Sequence, residues 1–268
     1  MTAILYEKRG HTAWLTINRP EFKNTMNAEV FVLLNEAWDE VRNDPEVRVA
    51  VLTGKGEEDF CCGGDLGSVI PLWTGAKQPE NDIERKLLAE PNLVGKCMLQ
   101  EQPLYKPIIG AFNGRTLGGG CEILQATDVR IAAEHAIFAL PEPKSGVVPG
   151  AGSMVRLARQ ISYANAMKML LMAEPISAAE ARHIGLISEV LPMQQLLVRA
   201  EEIADGIAAN APLAMRAIKQ TVIDSHTEDW ASAFQTEQKH SGTVMMSSDA
   251  REGPRAFKEK RKPNFLGS

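Results

Sequence analysis

The chain has 268 residues, 44% of them hydrophobic and 24% charged, which is typical of a globular protein with one large domain or one domain and an appendage. Its formal net charge of −5 argues against a general nucleic-acid binder, which needs excess Lys and Arg to neutralise phosphates. No apolar run reaches the roughly eighteen residues that cross a bilayer, and residues 1–10 lack a secretion-signal profile, so we expect no membrane partner and a cytoplasmic location.

The first fifty residues predict a hairpin, a helix and a buried strand. Partial alternation and β-branched residues in segments 4–7 and 12–17 favour two strands joined around Gly10. Asn27 can cap a helix whose apolar residues recur every three or four positions, and Asp44 can end it. The apolar run 47–52 is typical of a buried strand in a parallel sheet.

The middle of the chain repeats the alternation of strand and helix. Strand patterns at 108–112, 129–132 and 137–138 enclose a helical pattern at 121–126, which favours parallel β-α-β layering. Residues 66–105 form an insert too long for a simple crossover loop. Within it, residues 82–100 predict one helix, and we expect the insert to shape a substrate pocket.

Beyond Gly150 the strand patterns nearly disappear. Segment 187–191 is the one predicted strand, and the predicted helices cover residues 154–160, 163–173, 178–183, 193–210, 212–224 and 228–247. We predict two regions, a core of residues 1–191 and a helical region of residues 192–268, divided near Pro192.

The four cysteines, Cys61, Cys62, Cys97 and Cys121, include no CxxC pair, and no histidine lies at ligand spacing from them. The pattern therefore indicates neither a zinc site nor a disulfide framework, and we expect reduced thiols and no metal.

Two glutamates stand in unusually specified backbone settings. Glu122 follows three glycines, 118–120, at the start of a helical pattern, where free N–H groups can stabilise an oxygen that gains negative charge. Glu142 lies between Pro141 and Pro143, which predicts an extended, stiff loop at the second carboxylate. Two positioned carboxylates beside an oxyanion trap are the outline of a reaction centre.

A second glycine-bearing turn follows the strand at 47–52, with glycines at 54, 56, 63 and 64. Ligands of parallel sheets bind beyond the carboxyl ends of strands, so the two turns could converge on one cleft and contribute one N–H donor each. The glycines alone fit sharp turns equally well.

The combined pattern resembles the crotonase family of enoyl-CoA hydratases and isomerases. The matching segments span almost the whole chain in the family's order: 17–20 (INRP), 60–66 (FCCGGDL), 113–114 (NG), 118–122 (GGGCE), 140–142 (LPE), 149–152 (PGAG), 256–257 (AF) and 259–261 (EKR). The resemblance implies an α/β fold, a crotonase-like ββα spiral core with a C-terminal helical trimerisation region. The expected assembly is a homotrimer or a hexamer built as a dimer of trimers.

The resemblance also implies the site. The backbone N–H groups of Gly64 and Gly119 would form an oxyanion hole for the thioester carbonyl of an acyl-CoA, although alanine is common in the family where Gly64 stands. Glu122 would deprotonate water, and Glu142 would supply the α proton during hydration of a 2-enoyl-CoA. No cofactor is implied beyond the coenzyme A of the substrate. CoA- or substrate-binding positions are implied for Lys23, Asp65, Leu66, Gly118 and Lys260.

Other reactions stay open at this point. An isomerase that shifts the double bond needs the same oxyanion hole and one carboxylate, and a hydrolase would direct the water at the thioester carbonyl. A non-catalytic or RNA-binding relative is disfavoured by the negative charge and the two intact glutamates. Glycoside hydrolysis by paired carboxylates is disfavoured by the 6% aromatic content. The acyl group is left open.

Overall fold

The structure, a computed structural model, describes residues 2–268. Ten strands and twelve α-helices follow one another along this part of the chain. The strands are β1 Ile4–Arg9, β2 Thr12–Ile17, β3 Val49–Gly54, β4 Asp59–Cys61, β5 Ile108–Phe112, β6 Arg115–Leu117, β7 Val129–Ala133, β8 Ile137–Ala139, β9 Ile176–Ser177 and β10 Glu189–Leu191. The helices are α1 Ala28–Asn43, α2 Val69–Trp73, α3 Asp82–Ala89, α4 Leu93–Cys97, α5 Gly119–Leu124, α6 Ser153–Gln160, α7 Tyr163–Met172, α8 Ala178–His183, α9 Met193–Ala208, α10 Pro212–Asp224, α11 Trp230–Met245 and α12 Ser248–Lys258.

The strands form two sheets, and from β3 to β8 successive strands alternate between them. One sheet has six strands in the order β1-β2-β3-β5-β7-β10, antiparallel at β1-β2 and parallel elsewhere. The other has four strands in the order β4-β6-β8-β9. The consecutive pairs β3/β4, β5/β6 and β7/β8 each place their first strand in the larger sheet and their second in the smaller one. Helical segments follow each pair, so the chain winds as a ββα spiral, and the predicted fold is confirmed.

Local signals explain the first elements. The hairpin turns at Gly10, and the Asn27 side chain accepts a hydrogen bond from the Val30 N–H, which caps α1 as predicted. Strand β3 is buried along its whole length because the spiral covers both faces of the sheet.

The structure corrects two predictions on the core. The helix predicted over residues 82–100 is wrong, since α3 ends at Ala89 and α4 begins at Leu93, on either side of Pro91. Proline lacks the N–H that a continuous helix needs. Glu142 is also not extended, because it begins a 3-10 turn, Glu142–Ser145.

The helical region divides into two kinds of helix. The buried residues of α9, among them Leu196 and Ala200, pack on the outer face of the larger sheet against Trp14 and Ile109. In contrast, α10 and α11 bury none of their residues within the described chain. The division at Pro192 stays a prediction; α12, which follows α11, buries Asp249, Glu252 and Ala256.

Candidate active site

The two glycine turns meet beyond the ends of β4 and β6. A Cβ placed on Gly63 would lie 3.2 Å from the backbone nitrogen of Gly119, and one placed on Gly119 would lie 3.7 Å from that of Gly64. Gly63 (φ +88°) and Gly118 (φ +53°) hold backbone conformations that favour glycine, which makes this close approach of two main chains possible. The predicted convergence of the two turns is thus present.

Both candidate donors are free to bind a ligand. Within residues 2–268 the Gly64 N–H donates to no acceptor, although its neighbours do: Met26 N–H donates to Gly63 O (2.8 Å) and Asp65 N–H to Met26 O (3.0 Å). Gly119 is the first residue of α5, where N–H groups have no intrahelical acceptor and the helix dipole favours negative charge.

Glu142 lies directly against the glycine turn. A Cβ on Gly118 would lie 3.0 Å from Glu142 Oε1, and Gly118 itself is fixed by donating its N–H to Ala139 O (2.9 Å). Within the described chain, Glu142 Oε2 is buried without a hydrogen-bond partner. A buried oxygen without a partner is costly unless a ligand or water completes it, so this carboxyl group is available for chemistry.

Glu122 is held by the segment that leads into α6. Its Oε1 accepts the Ala151 N–H at 2.7 Å and, at 3.4 Å, the Ser153 N–H, both at the start of α6. The side chain is buried, with only 4% of the residue exposed. These amides fix one oxygen of the carboxylate and leave Oε2 to face a second partner.

Burial raises the pKa of both carboxyl groups, and the charge of Glu142 adds to the shift of Glu122. Burial and the charge of Glu142 raise the pKa of Glu122 to about 7, against the weaker lowering effect of the two amides and Arg156. Burial also raises the pKa of Glu142. A helix start alone would lower a carboxyl pKa, so the outcome is set by desolvation. Near neutral pH the pair can therefore hold one proton, which gives an acid and a base side by side.

The cysteines that flank this site are not activated. Cys61, Cys97 and Cys121 are fully buried free thiols, and burial raises the pKa of Cys61 to about 12. The same effect raises the pKa of Cys121 well above its usual range. Thiolate nucleophiles need a lowered pKa, so the chemistry of this site belongs to the carboxyl groups.

Of the predicted CoA- or substrate-binding residues, Lys23 and Leu66 lie near the Gly64 turn, whereas Lys260 lies after α12. Lys23 is exposed, and its carbonyl accepts the Cys62 N–H (3.2 Å), beside the Gly64 turn. Leu66 is 71% exposed just beyond Asp65. Lys260 follows α12 in a segment that reaches the far end of the larger sheet, where Arg48, just before β3, donates to Phe265 O (2.8 Å). Within the described chain, no hydrogen bond or ion pair joins Lys260 to Glu122 or Glu142.

Sequence reasoning missed the residues that hold Glu122. The segment 149–152 is part of the family resemblance, but nothing in it indicates that the Ala151 N–H donates a hydrogen bond to the carboxylate of Glu122, 29 positions earlier. Arg156, one turn into α6, is also new to the site. It donates to Met98 O (3.0 Å) and Leu99 O (2.7 Å) and so links α6 to the end of the insert.

Two convergent N–H donors next to a buried acid and base define a site that can stabilise an enolate-like oxygen while protons move at the adjoining carbons. Within residues 2–268, no three His, Cys, Asp or Glu side chains are grouped as metal ligands. In the same part of the chain, no helix combines the length and the apolar character that crossing a bilayer requires.

The spiral fold and this site define the crotonase class of proteins that act on acyl-CoA thioesters. Residues 7–268 match the enoyl-CoA hydratase/isomerase family, and the chain belongs to that family. The family predicted from the sequence is therefore confirmed.

Relatives of known name match over nearly their full lengths. Enoyl-CoA hydratase EchA19 of Mycobacterium tuberculosis is 42% identical over 97% of this chain and 95% of its own. The (E)-benzylidenesuccinyl-CoA hydratase of Thauera aromatica is 38% identical over 99% of both chains. Among solved structures, an enoyl-CoA hydratase from Bacillus anthracis superposes with a TM-score of 0.89 at 33% identity, covering 99% of this chain and 100% of its own.

Proposed function

We propose that this protein is an enoyl-CoA hydratase, a hydro-lyase that adds water reversibly across the 2,3 double bond of a 2-enoyl-CoA thioester. The observation that carries the proposal is the position of Glu142 against Gly118, together with Glu122 in the helix that begins at Gly119, where the Ala151 N–H fixes its carboxylate. Names of hydratases among the full-length relatives support the same reaction.

The N–H groups of Gly64 and Gly119 bind the thioester oxygen and stabilise it more strongly as it becomes an enolate. This activates the β carbon toward a nucleophile without a metal, because the two amides take the developing charge. The reaction is redox-neutral, since water adds and no electrons leave the substrate. Coenzyme A therefore enters only as part of the substrate.

The surroundings of the two carboxyl groups support a division of roles. Glu122, with Oε1 bound by two amides, presents Oε2 to the water and acts as a general base when it is ionised. Glu142, whose Oε1 lies against Gly118 and whose buried Oε2 has no hydrogen-bond partner within the described chain, is the acid that protonates the α carbon. Water thus adds its oxygen at the β carbon, and the α carbon gains a proton from Glu142 while Glu122 gains one from water.

A spectrophotometric assay tests this proposal. A panel of 2-enoyl-CoA thioesters of different chain lengths, including aromatic ones, is followed by loss of the conjugated absorbance. Glu122→Gln and Glu142→Gln should each lower kcat by about 10²–10⁴-fold, the usual contribution of a positioned acid or base. Glu134→Gln, which changes an exposed glutamate, is the matched control and should keep full activity. Full activity in either active-site variant would exclude the assigned roles.

The insert is the proposed wall of the acyl pocket. Val69, the buried first residue of α2, lies beside the oxyanion turn, since a Cβ on Gly64 would lie 3.8 Å from Val69 Cγ1. The insert is anchored to α1, because Trp38 Nε1 donates to Cys97 O (3.0 Å) and Trp73 packs on Phe31. Substitutions at Val69 should therefore change the ranking of enoyl chains in the same panel.

A homotrimer, or a hexamer of two trimers, is the proposed assembly. Helices α10 and α11 bury no residues in one chain, yet they carry Ile218, Val222 and Phe234 exposed. A cavity of about 1100 Å³ lies between α10 and the core. Several large apolar side chains exposed on neighbouring helices are typical of an interface between subunits. In such an assembly Lys260 and Lys23 of different chains could both reach the phosphates of one CoA.

Light scattering coupled to size-exclusion chromatography measures the assembly. A mass three or six times the 29.3 kDa of one chain is expected. Phe234→Glu should lower that mass, whereas Gln235→Glu, which adds the same charge at an exposed polar position of α11, should not. A single-chain mass for the unmodified protein would contradict the proposal. We also propose a cytoplasmic location, as expected from the sequence.

A further inference from the structure

The oxyanion turn that carries the Gly64 N–H is not part of a regular strand. It is held through a single bridge to Met26, in which Met26 N–H donates to Gly63 O and Asp65 N–H to Met26 O. This pattern leaves the Gly64 N–H between two bonded neighbours and directs it away from Met26. The orientation of the donor therefore depends on what fixes residues 63–65 and the segment that contains Met26.

That segment is conformationally demanding. Lys23 and Asn24 are consecutive non-glycine residues with φ of +54° and +52°, a conformation that persists only where surrounding contacts enforce it. Asn24 is fully buried, and its side chain accepts the Arg19 N–H (2.9 Å) and donates to Lys55 O and Asp59 O. Asn24 thus ties the backbone from Arg19 to Met26 to the residues around Lys55 and Asp59, while the Lys23 and Met26 backbone groups bond to the oxyanion turn.

Arg19 adds side-chain bonds that join this segment to Asp65 in the oxyanion turn. Its Nη1 donates to Thr25 O (2.5 Å), next to Met26, and its Nη2 donates to Asp65 Oδ2 (3.1 Å), next to Gly64. The guanidinium also lies over the Phe22 ring, 4.7 Å from its centroid. The side chains of Arg19 and Asp65 are only 12% and 19% exposed, so water screens the pair weakly.

We infer that Asp65, held by Arg19, is a positioning residue that orients the Gly64 N–H toward the thioester oxygen. The inference rests on the proposed function of that amide. Both carboxylate oxygens of Asp65 are engaged, Oδ2 by Arg19 and Oδ1 by the Gly67 N–H (3.1 Å), so the side chain acts through the backbone and not by touching the substrate. This assigns Asp65 a different task from the substrate contact that the sequence suggested.

The Arg19–Asp65 pair should affect stabilisation of the transition state more than binding of the substrate. Loss of an oxyanion donor lowers kcat by about 10²–10³-fold, so a donor that is turned aside but still present should lower it by roughly 10–100-fold. The KM should change little, because the Gly64 N–H acts mainly on the charge that develops in the transition state. The pH profile should keep its shape, since neither glutamate is altered.

The test compares Asp65→Asn, Arg19→Met and the conservative Arg19→Lys. Asp65→Asn keeps an acceptor but places an amide against the guanidinium, and Arg19→Met removes the tie to both Thr25 and Asp65. Both should lower kcat by roughly 10–100-fold, and Arg19→Lys should recover part of the loss. Arg199→Met removes a bidentate ion pair with Glu189, remote from the glycine turns, and is the matched control with unchanged kcat.

A spectroscopic readout separates positioning from a structural role. A para-dimethylaminocinnamoyl-CoA thioester should absorb at longer wavelength when bound, because hydrogen bonds to its carbonyl polarise the conjugated system. Asp65→Asn and Arg19→Met should reduce this shift in folded protein with a near-normal Tm. An unchanged shift, or a rise in KM at constant kcat, overturns the inference.

The same readout distinguishes failure of the inference from failure of the proposed function. If the unmodified protein shifts the spectrum but hydrates no enoyl-CoA, the hydratase proposal fails while the positioning role is still measured by the shift. If the unmodified protein hydrates enoyl-CoA and the variants keep the full shift, only the positioning role fails. A bound probe with no shift in the unmodified protein excludes the oxyanion hole and with it the inference.

Discussion

Replacing Gly64 by proline removes the proposed oxyanion donor without breaking a bond inside the protein. The Gly64 N–H has no acceptor within the described chain, and its φ does not lie in the left-handed region, so the fold does not depend on that hydrogen. Gly64→Ala is the matched control. Its Cβ would meet only Val69 Cγ1, at an ordinary contact distance of 3.8 Å, and its N–H is kept.

The expected losses differ by orders of magnitude. Gly64→Pro should lower kcat/KM at least 10²–10³-fold, corresponding to about 3–4 kcal/mol of transition-state stabilisation, because one donor is lost and the ring fills part of its place. Gly64→Ala should stay within a few-fold of the unmodified protein. The assay is the initial rate of enoyl-CoA hydration, with circular dichroism and Tm to verify folding. A folded proline variant with a rate close to that of the alanine variant would refute the assignment of this amide.

Further predictions concern the site and its supports. The pKa of Glu122 in the folded protein, about 7, is raised above its ordinary value of 4.5, so the folded state binds this proton more tightly than the unfolded state does. The resulting contribution to the free energy of unfolding is fully present below pH 4.5 and is lost as pH rises through 7. The loss approaches roughly 3 kcal/mol, and Tm measured from pH 5 to 8 should fall less steeply in Glu122→Gln. Arg156→Met should move the acid limb of the kcat/KM profile to higher pH, because the guanidinium lowers the Glu122 pKa; an unmoved limb would count against this effect. Gly120→Ala should destabilise by about 1–3 kcal/mol, since the new Cβ collides with the Cys61 carbonyl, whereas Gly206→Ala, with nothing within 4 Å, should stabilise by about 0.5–1 kcal/mol in urea titrations. Equal effects of the two alanines would contradict the packing argument.

Features with local physical causes were predictable from sequence. The Asn27 cap, the hairpin at Gly10 and the buried strand β3 each follow from a few neighbouring residues, and the structure has all three. The two glutamates could be selected for a similar reason, because a glycine run and flanking prolines are unusual local sequences, although the extended backbone predicted for Glu142 was wrong. Glu142 lies against Gly118, and Glu122 lies in the helix that begins at Gly119.

Features that depend on tertiary contacts were not predictable. Strands β4 and β6 have three residues each, too few for a periodic pattern, so both were missed, and only β8 of the smaller sheet was predicted, at 137–138. The direction of the Glu122 pKa shift required knowing that burial outweighs two amide donors. The amide of Ala151 meets Glu122 only because the spiral brings together segments 29 positions apart. The break at Pro91 was visible, but the helical pattern on both sides concealed it.

Isotope incorporation tests the central claim most directly. The protein is incubated with a 2-enoyl-CoA in ¹⁸O-water, and the products are analysed by mass spectrometry. Hydration predicts one ¹⁸O in the β-hydroxyl group of a 3-hydroxyacyl-CoA, with the label lost in parallel with rate in Glu122→Gln and Glu142→Gln. A shifted double bond without label, or ¹⁸O in a free acid with release of the CoA thiol, would contradict the claim.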